Sequence, residues 1–437
     1  MIEIKKRRKF LKESGAVLAG FMIVPRFVLG GTKMDGTKYL APSDKINLGL
    51  IGGGKQGRIL SSSFLKTKEI RFAALSEVYQ DKVKVTIDHI KGLYEKNPDY
   101  GTYEEIKIMN DYRQMLEDKS IDAVIIATPD HQHAVMTINA AKSGKDIFVE
   151  KPLANTVREG RAMVEAVRLN KRIAQTGSMQ RSWKEFRQAA NIIRNGYLGN
   201  IKSVKVNVGL PPKKFDLPGL EIPKGLDWKA WLGPNSYSPF HTELAPPITN
   251  DIYPAWRDYM EFCNGRFAGW GAHMFDIVQW SLNMDHSGPT KIHYPDGKDF
   301  QNLTFEYTNG VTMAHEKWEW ENAIHFIGDE GEMKLKRGQI ECSNPLILTK
   351  DMSQSEKNVI ESVNHYSDFL NSMRTRNNPI ADVEIGHRTS TICSLGVIAY
   401  NLKKSLVWDP TKETIVNNKK AKKMLTRKLN KEYGVKI

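Results

Sequence analysis

Three cysteines in 437 residues, Cys263, Cys342 and Cys393, are too few and too scattered for a disulfide framework or a thiolate metal site. Free, buried thiols are expected instead. No apolar run beyond the N-terminus is long enough to cross a bilayer, so no membrane span is expected. The body of the chain also lacks an excess of one charge sign. The formal net charge is +14, but residues 1–30 hold +5 of it and residues 418–437 hold +7, which leaves +2 for everything between. Without a basic stripe interleaved with aromatics, nucleic acid is not an expected partner.

What is present starts with the N-terminus. Lys6-Arg7-Arg8-Lys9-Phe10-Leu11-Lys12 precedes a modest apolar run, Ala16 to Val24, and then Gly30 and Gly31. This is a charged region followed by an apolar one too short to span a membrane. It resembles a twin-arginine export signal, Ser/Thr-Arg-Arg-x-Phe-Leu-Lys, with Lys6 departing at the first position. The expected location is therefore periplasmic or otherwise exported. Residues 31–44 read as a polar linker.

The most informative stretch is Ile46-Asn-Leu-Gly-Leu-Ile-Gly-Gly-Gly-Lys-Gln-Gly-Arg58. An apolar strand empties into Gly52-x-Gly54-x-x-Gly57, and an amphipathic helix follows on Ile59, Leu60, Phe64 and Leu65. That order is the context a dinucleotide fingerprint requires. Gly52 permits a tight turn, Gly54 lets backbone approach a pyrophosphate, and Gly57 lets helix and strand pack closely. Gln56 sits in the same loop. A second strand, Ile70 to Leu75, ends at Glu77, about twenty residues past the last glycine. An acid there suits the adenosine ribose hydroxyls and repels a 2′-phosphate, so NAD is the expected cofactor.

Strand and helix patterns alternate from residue 45 to Leu169, the signature of a doubly wound parallel sheet. The strand Ile121–Ala127 ends in Thr128-Pro129-Asp130-His131-Gln132-His133, at the edge where such sheets hold ligands. His131 and His133 lack a nearby third ligand, and no metal is expected. The strand Asp146–Val149 runs into Glu150-Lys151-Pro152. A strand-end lysine, partly desolvated, can have its pKa lowered toward working pH.

Gly52-x-Gly54-x-x-Gly57, Ala127-Thr-Pro-Asp-His131 and Glu150-Lys151-Pro152, at these distances, resemble the Gfo/Idh/MocA oxidoreductases. The resemblance covers about residues 45–437. It implies a Rossmann-type domain over 45–177 and an α+β domain with an open, mostly antiparallel sheet over 178–410. Part of 360–410 would return to the nucleotide domain, and 411–437 would form a basic tail. It also implies that Thr128, Pro129, His131, His133, Glu150 and Lys151 bind the cofactor and that Lys151 handles the substrate proton. A homo-oligomer, dimer or tetramer, is implied through the open sheet.

Family members carry Asp-x-x-x-His on a later helix. Here, residues 264–284 keep His273, but Gly269 stands where the aspartate would be. Lys151 and His273 are thus the expected catalytic pair. Arg181, Tyr253, Trp256 and Asp276 are expected to bind substrate with His273. The Pro- and Trp-rich stretch 209–256 is expected to help orient a sugar ring, and His387 to lie near the cleft. The leading function is an exported NAD-dependent oxidoreductase acting on a ring carbinol of a sugar, cyclitol or glycoside, with a 3-keto-sugar as the expected product. The alternative is an NAD-dependent glycoside hydrolase working by transient oxidation, elimination and re-reduction. A non-catalytic sugar- or nucleotide-binding protein is the third.

Overall fold

The structure is a computed structural model of the full chain, and it describes residues 31–32, 38–39, 44–247, 252–352, 355 and 357–433. The export signal expected over residues 1–30 lies outside the described residues. Two compact units are distinguished, residues 1–45 and 46–437. In the first, within the expected linker, Gly31–Thr32 pairs antiparallel with Lys38–Tyr39.

The second unit begins with a six-stranded sheet. Its strands are β1 (Ile46–Ile51), β2 (Ile70–Ser76), β3 (Lys107–Met109), β4 (Ala123–Ile126), β5 (Asp146–Val149) and β6 (Ala174–Thr176). All pair in parallel, in the order β3-β2-β1-β4-β5-β6. Strands β4 and β5 are buried along their whole length, which is why they read as continuous apolar runs. β3 escaped the sequence reading because it is a short edge strand with two of its three residues exposed. The order reverses between β1 and β4, and the carboxyl ends of these strands border the crevice where such sheets hold ligands.

Helices α1 (Lys55–Leu65), α2 (Gln80–Lys96), α3 (Tyr112–Glu117), α4 (His133–Lys142) and α5 (Val157–Leu169) connect these strands. Helix α1 buries Leu60, Phe64 and Leu65, while Ile59, expected on the same face, is largely exposed. Phe64 packs edge-on against Phe148 of β5 and Phe369 from the end of the chain. Truncating such a buried ring costs about 3–5 kcal/mol.

After α6 (Lys184–Arg194) the pattern changes. Strand β7 (Ile201–Asn207), the short helix α7 (Trp228–Leu232) and the long helix α8 (Gly265–Ser281) precede β8 (Lys291–His293), β9 (Leu303–Glu306), β10 (Thr312–His315), β11 (Ala323–Gly328), β12 (Glu332–Lys336) and β13 (Gln339–Cys342). The chain closes with α9 (His365–Thr375), α10 (Val383–Leu402), β14 (Leu406–Asp409), β15 (Thr414–Ile415) and α11 (Lys419–Lys423). The nine strands form one sheet, ordered β13-β12-β11-β7-β10-β9-β8-β14-β15. Every pairing is antiparallel except β7 with β10. One sheet face packs on α6, α8 and α10 through Val204, Phe305, Met313, Phe326 and Leu335. Alternation along β12, with Met333 and Leu335 inside and Lys334 half-exposed, marks the other face as more polar.

Helix α10 is buried on nearly all sides, packed between α5 and α8. Its N-terminal approach bonds to the nucleotide sheet, where Thr176 N–H donates to the Ala381 carbonyl at 2.9 Å. Helix α9 adds Phe369, Leu370 and Met373 to the core of the same sheet. No helix among the described residues is long and apolar enough to cross a membrane.

Candidate active site

At the glycine turn, Gly52 has φ +96°, and a Cβ there would lie 2.8 Å from the Ala127 carbonyl oxygen. At Gly57 a Cβ would come within 2.1 Å of the Gly52 carbonyl oxygen, so a side chain would push α1 off the turn. Gly54 is different. A Cβ there meets nothing within 4 Å, so the start of α1 opens onto space. That helix end carries no side-chain cap, the arrangement in which backbone N–H groups and the helix dipole favour a phosphate.

Glu77 follows β2 and is only 8 % exposed. One carboxylate oxygen accepts the Gly53 N–H at 2.7 Å, and the other accepts the N–H groups of Val78 and Tyr79 at 2.9 and 3.0 Å. Besides facing the cavity, it therefore clamps the glycine loop to the second strand. Lys82 lines the same cavity, its pKa lowered chiefly by burial and partly restored by Glu77.

The cavity runs along the carboxyl ends of β1, β2 and β4. Gly52, Gly54, Gln56, Glu77, Thr128, Pro129, Tyr253 and Trp256 all line it. These residues fit a dinucleotide, with the open cradle at Gly54 for a pyrophosphate and Glu77 for ribose hydroxyls. His131 and His133, expected to bind cofactor, are not among the lining residues. His131 is fully buried and contacts the Trp231 carbonyl at 2.9 Å, and burial pushes its pKa down to about 3. His133 is also fully buried, with ring nitrogens 2.8 Å from the Pro152 carbonyl and 3.1 Å from the Thr128 carbonyl. It braces two strand-end loops against each other.

Those loops present Lys151, whose peptide bond to Pro152 is cis. Its Nζ donates to the Gly269 carbonyl at 2.9 Å, across from the nucleotide domain to α8. Burial lowers its pKa; Glu150 and Asp130 oppose that shift, while Arg257 and Arg337 add to it. Glu150 is held by Gln56, which donates to it at 2.8 Å and accepts from the Tyr253 hydroxyl at 3.1 Å. Tyr253, Gln56 and Glu150 thus form a polar chain from the cavity mouth to the backbone N–H of Lys151.

One helical turn beyond Gly269 stands His273, 4 % exposed, with Nδ1 buried and without a hydrogen-bond partner. Burial first, then the charges of Lys151 and Arg337, holds its pKa well below the usual range. It is a neutral imidazole at physiological pH. A Cβ on Gly269 would meet nothing within 4 Å. The glycine therefore leaves space beside both Lys151 and His273, and the orphaned nitrogen has no carboxylate to orient it.

Two expected substrate residues are not available to substrate. Arg181 and Asp276, each 1 % exposed, form a two-pronged ion pair with both distances at 2.8 Å. Arg181 also bonds Asp285, and Asp276 accepts from the Thr389 hydroxyl at 3.0 Å. Their donors and acceptors are consumed in a core network. Trp256 is nearly buried, its ring under the Arg257 guanidinium at 4.2 Å, while Tyr253 is 43 % exposed. Most other aromatics of 209–256 build a separate core, with Trp228 stacked on Trp231 at 4.5 Å. His387 lies away from the cleft, paired with Glu413 at 2.7 Å.

Four functional candidates were not singled out from the sequence. Asp130, inside the Thr-Pro-Asp-His motif, is pushed up to about 7 by burial, against the pull of Arg257 and Lys151. Its place in that motif was an available signal. Arg257, beside Trp256, lines the cavity. Trp270 packs its ring near that of His273, and Arg337 lies over Trp270. The described part of the basic tail expected over 411–437 is docked on the body of the chain. Beyond the five-residue α11, Arg427 reaches the buried Glu159 at 2.6 Å and the His131 carbonyl at 2.9 Å, and Tyr433 lines the cavity.

Comparison with known proteins agrees with this geometry. The model for the NAD-binding Rossmann fold of an oxidoreductase family, GFO_IDH_MocA, matches residues 46–178, and that for the family's C-terminal alpha/beta domain matches 184–435. The alpha-N-acetylgalactosaminidase of Shewanella oneidensis is 28% identical over 208 residues, covering 45% of this chain and 44% of that protein. The chain thus spans less than half the length of the curated relatives it matches. Among solved structures, the WlbA dehydrogenase from Bordetella pertussis, in complex with NADH and UDP-GlcNAcA, superposes with TM-score 0.58 at 14% identity, over 84% of this chain and 98% of that one. Aldose-aldose oxidoreductase from Caulobacter crescentus gives 0.54 at 17% identity, over 83% and 99%. At such identities the likeness carries the fold.

Proposed function

The chain belongs to the Gfo/Idh/MocA family of oxidoreductases, and from that premise we propose that it oxidises a ring carbinol of a sugar or glycoside with NAD. The single observation that carries this reading is the Lys151–Gly269 contact. It brings a half-buried lysine of lowered pKa, a neutral histidine and open space together beside the dinucleotide cavity. NAD, when bound, accepts the hydride from the carbinol carbon. The work of the chain is to position the hydroxyl and take its proton.

Neutral Lys151 is the base. Its Nζ takes the hydroxyl proton as the C–H bond gives up its hydride, leaving a carbonyl on the sugar and an ammonium on the lysine. Glu150 and Asp130 favour that ammonium, so the proton moves toward a site prepared for the charge. His273, uncharged, is a hydrogen-bond partner for a substrate hydroxyl. Trp270 and Tyr253 border the space a ring would take.

A second reading, cleavage of a glycoside through transient oxidation, is favoured by the curated relatives, which are glycoside hydrolases, and by the room at Gly269. Oxidation two carbons from the glycosidic carbon acidifies the C–H on the carbon between them, the aglycone leaves by elimination across the bond joining that carbon to the glycosidic one, water adds, and the hydride returns. The N-terminal Arg-Arg pattern supports export. An exported enzyme works without a free nicotinamide pool, which favours a cofactor bound through many cycles. The polar outer sheet face, with its half-buried Trp318 and Trp320, supports assembly into a homo-oligomer.

The test is to purify the protein without added cofactor, assay the denatured supernatant for NAD(H), and then supply sugars and glycosides while following nicotinamide absorbance and released aglycone. Bound cofactor with absorbance change on neutral or acidic sugars supports the oxidoreductase, and aglycone release without net absorbance change supports the hydrolase. Loss of at least a hundredfold in turnover in Lys151→Met is expected for a positioned acid–base group. A protein that binds sugar but never alters the cofactor removes both enzymatic readings.

A further inference from the structure

We propose that Arg337 receives the anionic group of an acidic sugar, so that this cleft selects a uronate or comparable carboxylated sugar over its neutral counterpart. The inference rests on the oxidoreductase reading of the cleft and names its substrate class.

Arg337 and Gly338 make the two-residue turn between β12 and β13, whose ends pair at Lys336 and Gln339. Gly338 has φ +71°, the left-handed conformation that glycine supplies at the second position of a tight turn. Its N–H donates to the Glu185 carboxylate at 3.0 Å, which ties the turn to α6. The hairpin therefore has a defined place. The guanidinium lies between two indoles, 4.7 Å from the ring centre of Trp270 and 5.2 Å from that of Trp183. Stacking fixes the plane of the guanidinium while leaving its edge N–H groups for a planar anion.

Among the described residues no carboxylate pairs with it, in contrast to Arg181, Arg161 and Arg427, each held by buried acids. An exposed arginine flanked by two indoles, with no carboxylate partner among the described residues, is a recognition group for an anion.

Its position names the ligand. Trp270 follows Gly269, whose carbonyl holds Lys151, and its ring is 5.9 Å from that of His273. The charge of Arg337 is felt at both reacting residues and itself responds to Glu150 and Tyr253. The opening thus carries the cations Arg257 and Arg337, beside a lysine that becomes an ammonium as it takes the hydroxyl proton, while Glu150 and Asp130 lie buried. An oxidised nicotinamide, held by the glycine turn and Glu77, would add a further positive charge. A neutral sugar leaves this field unbalanced, whereas one bearing a carboxylate on the ring neutralises it. Gly269 and the unpartnered Nδ1 of His273 leave room and a polar contact for the ring between these groups.

The experiment pairs acidic and neutral sugars differing only at that group. Methyl glucuronide is set against methyl glucoside, and methyl galacturonide against methyl galactoside. Binding is measured by calorimetry and turnover by nicotinamide absorbance, for the full chain and for Arg337→Gln and Arg337→Lys. At least one acidic member is expected to bind tenfold or more tightly than its neutral partner, with the preference shrinking as salt rises. Arg337→Gln should erase the preference through KM, while any change in kcat, arising from the charge lost beside Lys151 and His273, should be shared by the acidic and neutral members of each pair. Arg337→Lys, retaining charge but not the planar fork, should restore part of it. Equal binding of the two members, or a preference that survives Arg337→Gln, overturns the proposal. Turnover of neutral sugars without acidic preference would leave the oxidoreductase reading intact. Acidic preference in binding with no cofactor change would do the reverse.

Discussion

Gly269→Asp tests the site most directly, because the structure offers the new side chain space and two neighbours. A Cβ at residue 269 meets nothing within 4 Å, Lys151 Nζ already lies 2.9 Å from the Gly269 carbonyl, and His273 Nδ1 is buried and unpartnered one turn along α8. A carboxylate about 4 Å from an ammonium is worth about 4 kcal/mol at an effective dielectric of about 20. At about 1.4 kcal/mol per pKa unit that is an upper bound near 3 units. With solvent sharing the cleft, a rise of about 1–2 units in the pKa of Lys151 is expected. The base must be neutral, so the acid limb of kcat/KM should move up by about the same amount. At neutral pH, kcat/KM should fall about 10–100-fold, and it should recover on the alkaline side. Folding should not suffer, since a mid-helix glycine costs about 1 kcal/mol relative to alanine and aspartate somewhat less. The assay is kcat/KM across pH with an added thermal melt. An unmoved acid limb in a normally folded variant would refute Lys151 as the base facing residue 269.

Other outcomes follow from specific contacts. Glu77→Ala should lower Tm and weaken NAD by about 1.5–3 kcal/mol, because it removes the loop clamp as well as a ribose contact. With the acid that faces Lys82 removed, NADP should gain relative to NAD; direct binding of both cofactors checks this. Asp130→Asn removes a negative neighbour that raises the pKa of Lys151, so the acid limb of kcat/KM should shift to lower pH. Because burial raises Asp130 to about 7, the native state holds a proton there that the unfolded chain has lost, and stability from this group falls as pH rises from about 4 to 7. The variant should therefore lose less stability than the parent across that window in denaturant titrations. Arg427→Ala leaves Glu159 buried with its charge uncompensated, at a cost of about 3–5 kcal/mol. Limited proteolysis should then cut within 425–433, and NAD should leave faster because Tyr433 lines the cavity; an unchanged digest would count against the docked tail.

The nucleotide half was legible in the sequence because its signals are local. A strand, a glycine turn and a helix lie within twenty residues, and Gly52, Gly54 and Gly57 do separable jobs that each glycine's own backbone and neighbours dictate. The buried strands β4 and β5 declare themselves as unbroken apolar runs. Lys151 and His273 could be named from short motifs, although they lie over a hundred residues apart.

What the sequence could not determine was which polar groups are already consumed. Arg181 and Asp276 look like substrate ligands until each is found saturated by the other, with burial of both deciding the matter. His131 and His133 sit in the right loop but point their nitrogens at carbonyls of Trp231, Thr128 and Pro152. The parallel pairing of β7 with β10 joins segments a hundred residues apart, and no local periodicity encodes it. Arg337 is the reverse case, a surface-looking residue in a Lys-Arg-Gly turn. Only sheet register and the packing of α6 and α8 bring it between Trp183 and Trp270, beside the lysine and histidine. Local pattern fixes elements through short-range sterics and burial period. Partnership between charged groups is set by long-range packing, because a charge's role depends on what else is buried within a few ångströms of it.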